Sequence, residues 1–146
     1  MATSVLTLRI PQEIKAKIAR KYIDKPLIEL ETLTGQYKPK NGVVIQFKGT
    51  KGSMDTDKEN GSVENVDALY KNDYALKSSY MDFDFKNGTA ITKAPVNITG
   101  SKLSMRGIGL TANTKEETVK LERDVSGTME TGKTKYKFQA DTLTYH

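Results

Sequence analysis

An all-β fold with one short N-terminal helix is what this sequence predicts. Three observations carry that expectation: apolar and polar residues alternate with a period of two in stretch after stretch, polar turn signals separate the stretches at short intervals, and a turn-and-strand pattern recurs along the chain. Such alternation gives a strand one dry and one wet face, as in antiparallel sheets. About ten to twelve short strands fit the length.

The helix is expected over Pro11–Tyr22. Pro11 can open its first turn, Gln12 and Glu13 suit its positive end, and Lys15 to Lys21 suit its negative end. Ile14, Ile18 and Tyr22 recur every four residues, and Lys25-Pro26 stops the pattern. Residues 1–25 therefore read as an N-terminal segment and 26–146 as the β domain. From Ile28 the period becomes two. Ile28 and Leu30, then Val43, Ile45 and Phe47, then Met81, Phe83 and Phe85 alternate with polar neighbours. Leu103 and Met105, Val119 and Leu121, and Tyr136, Phe138 and Ala140 do the same. Lys40-Asn41-Gly42, Glu59-Asn60-Gly61, Lys86-Asn87-Gly88 and Lys115-Glu116-Glu117 read as turns between them.

Three segments resemble one another: Asp57–Val63, Asp84–Ala90 and Asn113–Val119. The lysines at 58, 86 and 115 set spacings of 28 and 29 residues, and Ala140-Asp141-Thr142 begins a fourth unit. A stack of hairpin rungs follows, none able to bury its dry face alone. Its last strand, Tyr136–Leu143, is an edge. It either folds back, blunted by Lys133, Lys135 and Lys137, or accepts a strand from another chain.

The chain has 146 residues and a formal charge of +5, enough for one domain of ordinary size. It has no cysteine, and its one histidine is the terminal His146, so disulfides, thiolate metal sites and a serine triad are excluded or unfavourable. No run of about 18 apolar residues occurs, and Met1–Ile10 is not a secretory core. A soluble chain is expected, which can equally be a piece of a longer protein. An isoelectric point near 9.3 raises nucleic acid as a partner. Basic and acidic residues are interspersed, however, and Tyr70, Lys71, Tyr74, Lys77 and Tyr80 read as ordinary strand surface. No nucleic acid is expected. The basic run Lys15–Lys21 reads as a solvated face.

No catalytic constellation stands out. Asp55-x-Asp57-x-Glu59 starts like a calcium loop, but its glycine is one place late and Val66 stands where the bidentate ligand belongs. Gly107-Ile-Gly109 lacks the following helix a dinucleotide site needs. Asp82 and Asp84 share a wet face with nothing apolar to separate their pKa values. Asn60, Asn87 and Asn97 begin sequons, which matter only in a glycosylating host. No metal, cofactor or enzyme activity is expected. A polysaccharide-processing β-protein is a poor rival without tryptophan. The dry face itself allows two readings: a closed sandwich core, or a trough whose interior admits acyl chains.

Tyr37–Met129 resembles the OstA-like lipopolysaccharide-transport proteins, above all the LptC type, with the LptA type a near relative. The resemblance runs through Gly52-Ser-Met-Asp-Thr56, Tyr80-Met-Asp-Phe-Asp-Phe-Lys-Asn-Gly88 and Ala94-Pro-Val-Asn-Ile98. It continues through Gly107-Ile-Gly-Leu-Thr-Ala-Asn113 and Val119-Lys-Leu-Glu-Arg-Asp-Val-Ser-Gly127. It implies an elongated, twisted antiparallel β-jelly roll, open along a seam like a taco. It implies a periplasmic, non-enzymatic module that takes lipopolysaccharide from an inner-membrane ABC transporter and passes it to an LptA-like bridge. LptC-type proteins usually carry an N-terminal membrane helix; this chain shows none, so either an inner-membrane anchor belongs to a full-length form or the protein is a soluble relative of the bridge-forming LptA type. The Pro11–Tyr22 helix has no counterpart in the family pattern.

Alternation and resemblance together give the expected lipid-facing set. It comprises Ile28, Leu30, Val43, Ile45, Phe47, Met81, Phe83, Phe85 and Ile91, followed by Val96, Ile98, Leu103, Met105, Val119, Leu121, Tyr136 and Phe138. The expected partner edge is Tyr136, Lys137, Phe138, Gln139, Ala140, Asp141, Thr142 and Leu143, for end-to-end strand addition or homo-oligomerisation.

Overall fold

A computed structural model describes residues 4–8, 12–37, 44–70 and 73–145. Among them are eleven strands and no helix. In chain order they are β1 (Ser4–Leu8), β2 (Gln12–Lys21), β3 (Leu27–Tyr37), β4 (Ile45–Asp55), β5 (Asn60–Tyr70) and β6 (Tyr74–Asp84). Then come β7 (Thr89–Thr99), β8 (Leu103–Asn113), β9 (Thr118–Thr131), β10 (Thr134–Ala140) and β11 (Leu143–Tyr145). Each strand from β1 to β10 pairs antiparallel with the next, and β11 returns to β9. The order is linear, so β1 and β10 stand at opposite ends and the sheet is not closed. This is the open, taco-like jelly roll.

The expected helix is a strand. β2 pairs with β1 on one side and with β3 on the other, Ile14 opposite Gly35 and Ala19 opposite Leu30. Ile14 and Ala16 are buried while Lys15 and Lys17 are exposed, which is a period of two. The inward phase then slips by one residue to Ala19. A spacing of four, as in Ile14, Ile18 and Tyr22, suits a helix and one face of a strand alike, and pairing on both sides overrides local propensity.

That slip recurs across the sheet. Inward residues are Leu30 and then Leu33 in β3, Val63 and then Val66 in β5, and Ser78 and then Met81 in β6. At the same level of the sheet Thr32, Asn65, Gly109 and Asp124 have φ of 52°, 54°, 82° and 52°. Pairing also shifts register between Ser78 and Asp82, Thr92 and Pro95, and Arg106 and Ile108. Residues at positive φ and bulges bend strands sharply. Together they crease the sheet midway along its strands.

The crease folds the sheet into two facing walls. Phe47 pairs in the row of Ala68, whereas Phe83 pairs in the row of Gly61 and Met54. Seven residues of β4 separate those rows, about 23 Å in a straight strand. Yet the Phe47 and Phe83 rings are 5.6 Å apart, and Phe83 stacks on Phe85 at 5.7 Å. The first wall ends in the hairpins after Tyr70, Thr99 and Thr131. The second ends in those after Lys21, Asp55, Asp84 and Asn113. The short alternating stretches of the sequence are thus halves of strands mostly 11 residues long.

The internal repeat is a repeated hairpin on the second wall. Asp55 Oδ1 accepts hydrogen bonds from the Asp57 and Lys58 amides, Asp84 Oδ1 from the Asn87 amide, and Asn113 Oδ1 from the Lys115 and Glu116 amides. Four residues later stand Glu59, Gly88 and Glu117 with φ of 56°, 70° and 55°. The true period is 29 throughout, and Asn60-Gly61 begins β5 instead of forming the turn. Lys40-Asn41-Gly42 lies outside the described residues. Glu59→Gly should stabilise the protein by about 1 kcal/mol, because glycine carries no left-handed penalty there; the urea midpoint measures it.

Candidate functional site

The interior between the two walls is the candidate site. Ile28, Leu30, Phe47, Met81, Phe85, Val96, Ile98 and Leu121 are all buried there. Ile45, Phe83, Leu103, Met105, Val119 and Phe138 are half-buried, nearer the lips. Tyr136 continues the inner face of Phe138 but is 51% exposed at the first wall's rim. Ile91 is the correction: expected inside, it lies on the outer face, 45% exposed, between Ala90 and the buried Thr92, which point inward. Ile91 has the opposite parity to Ala90, Thr92, Val96 and Ile98, which share the inner face of β7, so plain alternation from those residues puts it outside. Val43 lies outside the described residues.

Sequence reasoning missed Leu33, Met54, Val63, Val66, Leu110 and Val125, all buried in the same interior. The spacing of three between Leu30 and Leu33, and between Val63 and Val66, breaks strict alternation. That spacing was the available signal for the crease.

The interior is continuous and nearly free of polar atoms. Among the described residues two polar side chains are buried, and both are satisfied locally beside the β6–β7 bulge: Ser78 Oγ donates to the Pro95 carbonyl at 3.2 Å, and Thr92 Oγ1 accepts from the Ala94 amide at 3.1 Å. Such a surface offers an apolar guest contact without fixed anchoring points. Ion pairs lie outside, among them Arg20–Glu31 at 3.0 Å, Lys120–Glu122 at 3.7 Å and Lys135–Glu130 at 3.4 Å. An open depression of about 510 Å³ also lies outside, lined by Ser53, Ser62, Asp82 and Asp84 together with the apolar Leu27, Phe83 and Ile91.

The carboxylates serve the turns. Asn87 donates through its backbone and side-chain amides to Asp84, and these bonds hold the Asp84 carboxyl below its ordinary range. At the other end, the Tyr22 hydroxyl donates to Glu29 Oε1 at 2.8 Å; this bond raises its pKa. Asp82 and Asp84 stand on the outer face. Among the described residues no group of three or more His, Cys, Asp or Glu side chains could hold a metal ion.

The edges of this folded sheet are equally defined. β1 forms one end; at the other, β10 covers residues 125–131 of β9 and β11 covers residues 119–121. The expected continuous edge Tyr136–Leu143 is therefore two segments that turn the crease at Asp141 and Thr142, where Thr142 Oγ1 donates to the Glu122 carbonyl at 3.3 Å.

An unclosed, creased antiparallel sheet with an apolar interior is the frame in which the family comparison is read. Residues 8–130 match the model of the family described as lipopolysaccharide-assembly, LptC-related. The chain belongs to the LptC-related family. None of the curated proteins matches it. The LptC-related match includes Gln12–Lys21, so the segment that the sequence reading left without a family counterpart is part of it. LptC-related proteins are components of lipopolysaccharide transport and outer-membrane biogenesis, periplasmic and associated with the inner membrane. Among the described residues no helix is long and apolar enough to cross a membrane.

Proposed function

We propose that this LptC-related chain carries lipopolysaccharide by seating its acyl chains between the two walls while the phosphorylated sugars stay outside the seam. The observation that carries the reading is the continuous apolar interior of an unclosed sheet, reached between two lips of strand ends. Each methylene taken from water contributes about 0.8 kcal/mol. The lipid is received from an inner-membrane ABC transporter and handed to an LptA-like bridge, with strand addition at β10 and β11 joining the jelly rolls end to end. Edge pairing between copies of this chain would use the same strands. No bond is made or broken, and the partner ATPase supplies the energy.

A photoactivatable residue at Phe83 or Ile45 should label lipopolysaccharide, and one at Asp82 or Lys120 should not. Equal labelling from both faces would contradict the assignment. A second reading, a closed sandwich without cargo, draws on the Phe47–Phe83–Phe85 stack that joins the two walls near their lips. It expects no labelling at any of the four positions.

A further inference from the structure

The two walls do not end level. Outward from the crease, the inner face of the first wall has three cross-strand rows: one through Val66 and Val96, one through Phe47 and Ile98, and one through Tyr70 and Tyr74. The second wall has two, through Val63 and Met81 and then through Met54 and Phe83. Phe83, in the last row of the second wall, meets Phe47, in the middle row of the first, at 5.6 Å. The first wall therefore projects beyond that contact by one further row, about 7 Å of strand. Past Asp84 the second wall continues only as turns, where Phe85 stacks on Phe83 at 5.7 Å.

The projecting row is aromatic and open. It runs through Ile45, Tyr70 and Tyr74, passes Gly100, and continues through Leu103, Met129 and Tyr136. Tyr70 and Tyr74 are 37% exposed, Met129 42% and Tyr136 51%, although they share the inner face with Phe47 and Phe138. In the last row of the second wall Ile28 and Met54 are buried, and Phe83, Ala90, Ala112 and Val119 are half-buried. The Tyr74 ring lies over Gly100, where a Cβ would stand 2.9 Å from its Cδ1 and 3.0 Å from its Cε1. Bare backbone beneath the ring lets it settle against the sheet.

The place of this row decides its occupant. An acyl chain between Phe47 and Phe83 has a wall on each side. The next part of the same molecule, on its way out of the seam, has the tyrosine row on one side and water on the other. In lipopolysaccharide that part is sugar. A tyrosine ring offers a flat apolar face to the C–H groups of a sugar ring while its hydroxyl stays wet.

We propose that Tyr70, Tyr74 and Tyr136 form a platform for the saccharide of the carried lipid, so that the head group leaves the seam over the first wall. This rests on the carriage of acyl chains between the walls. Calorimetric titration of the full chain with lipopolysaccharide, and separately with a saturated fatty acid, tests it. Tyr74→Ser with Tyr136→Ser should weaken lipopolysaccharide binding about ten-fold and fatty-acid binding less than about two-fold. Tyr74→Phe with Tyr136→Phe keeps the rings and should weaken neither by more than about two-fold. If the serine pair melts early, Tyr136→Ser alone, on the more exposed ring, should still cost lipopolysaccharide binding about three-fold.

Equal losses for the two ligands would overturn the platform, since the row would then be more of the apolar trough. An unchanged lipopolysaccharide affinity would also overturn it and leave this row to another partner. The two readings fail separately. Labelling at Phe83 with an affinity that the serine pair does not move removes the platform alone. A loss from the serine pair with no labelling at Phe83 removes carriage between the walls and leaves a saccharide site at the lip.

Discussion

Phe83→Ala should speed lipid loading roughly five-fold while making the protein less stable. Phe83 of the second wall stacks on Phe47 of the first at 5.6 Å, across the space a guest must enter. An aromatic pair contributes about 0.5–1.5 kcal/mol beyond the area it buries. Parting the walls at this point therefore costs about 1 kcal/mol, and removing that cost is worth about five-fold in rate. Phe83 is only half-buried, so its truncation should cost about 2 kcal/mol of stability, less than a fully buried phenylalanine. The opposite signs are informative. In a closed sandwich a cavity at Phe83 lowers stability and gains nothing in loading. Measuring the rate of photolabelling at Ile45 beside urea unfolding separates the two; a slower or unchanged rate at reduced stability would count against a trough that opens here.

Leu121→Ala should be the most destabilising of the single changes considered, by about 3–4 kcal/mol. Leu121 is 1% exposed and lies opposite Leu110, also 1% exposed, with Leu143 of β11 on its other flank. Its side chain also occupies the space beside Gly107, where a Cβ would stand 3.3 Å from the Leu121 Cβ. Gly107 pairs with Val96 on the first wall, whereas Leu121 belongs to the second. The leucine therefore packs across the crease as well as within its own row. Its removal leaves a void that neither wall can close without shifting the other. A domain of this size has a total stability of about 5–15 kcal/mol, so the loss is a large share of the whole, equivalent to about 10 °C in melting temperature. Calorimetry or urea unfolding measures it. A loss below about 1.5 kcal/mol would mean that the walls collapse onto the gap and are less rigidly creased than described.

Much of the molecule is legible along the chain. The alternation in Val43–Phe47, Met81–Phe85 and Tyr136–Ala140, together with polar turns, is enough for an antiparallel sheet of successive hairpins, because a strand's two faces are a local property. The repeat is equally local: Asp55, Asp84 and Asn113 each accept amide hydrogen bonds within their own turns. Leu33 and Val66 went unnoticed because the alternation slips by one residue after Leu30 and Val63, and a strictly periodic reading carries the wrong parity past that point. Ile91 is a different case: its parity is opposite to that of Val96 and Ile98, so it faces outward without any slip. Ile14, Ile18 and Tyr22 looked helical because a spacing of four suits a helix and one face of a strand alike.

By itself, then, the sequence determined the strands, their turns, the apolar character of one face and the likeness to the LptC type. Those properties depend on neighbours within a few residues. Only the tertiary structure decided that the sheet is folded and that Phe47 meets Phe83. These follow from bends at Thr32, Asn65, Gly109 and Asp124 falling at one level across adjacent strands. That alignment is fixed by hydrogen-bond register between distant parts of the chain, and no local pattern contains it.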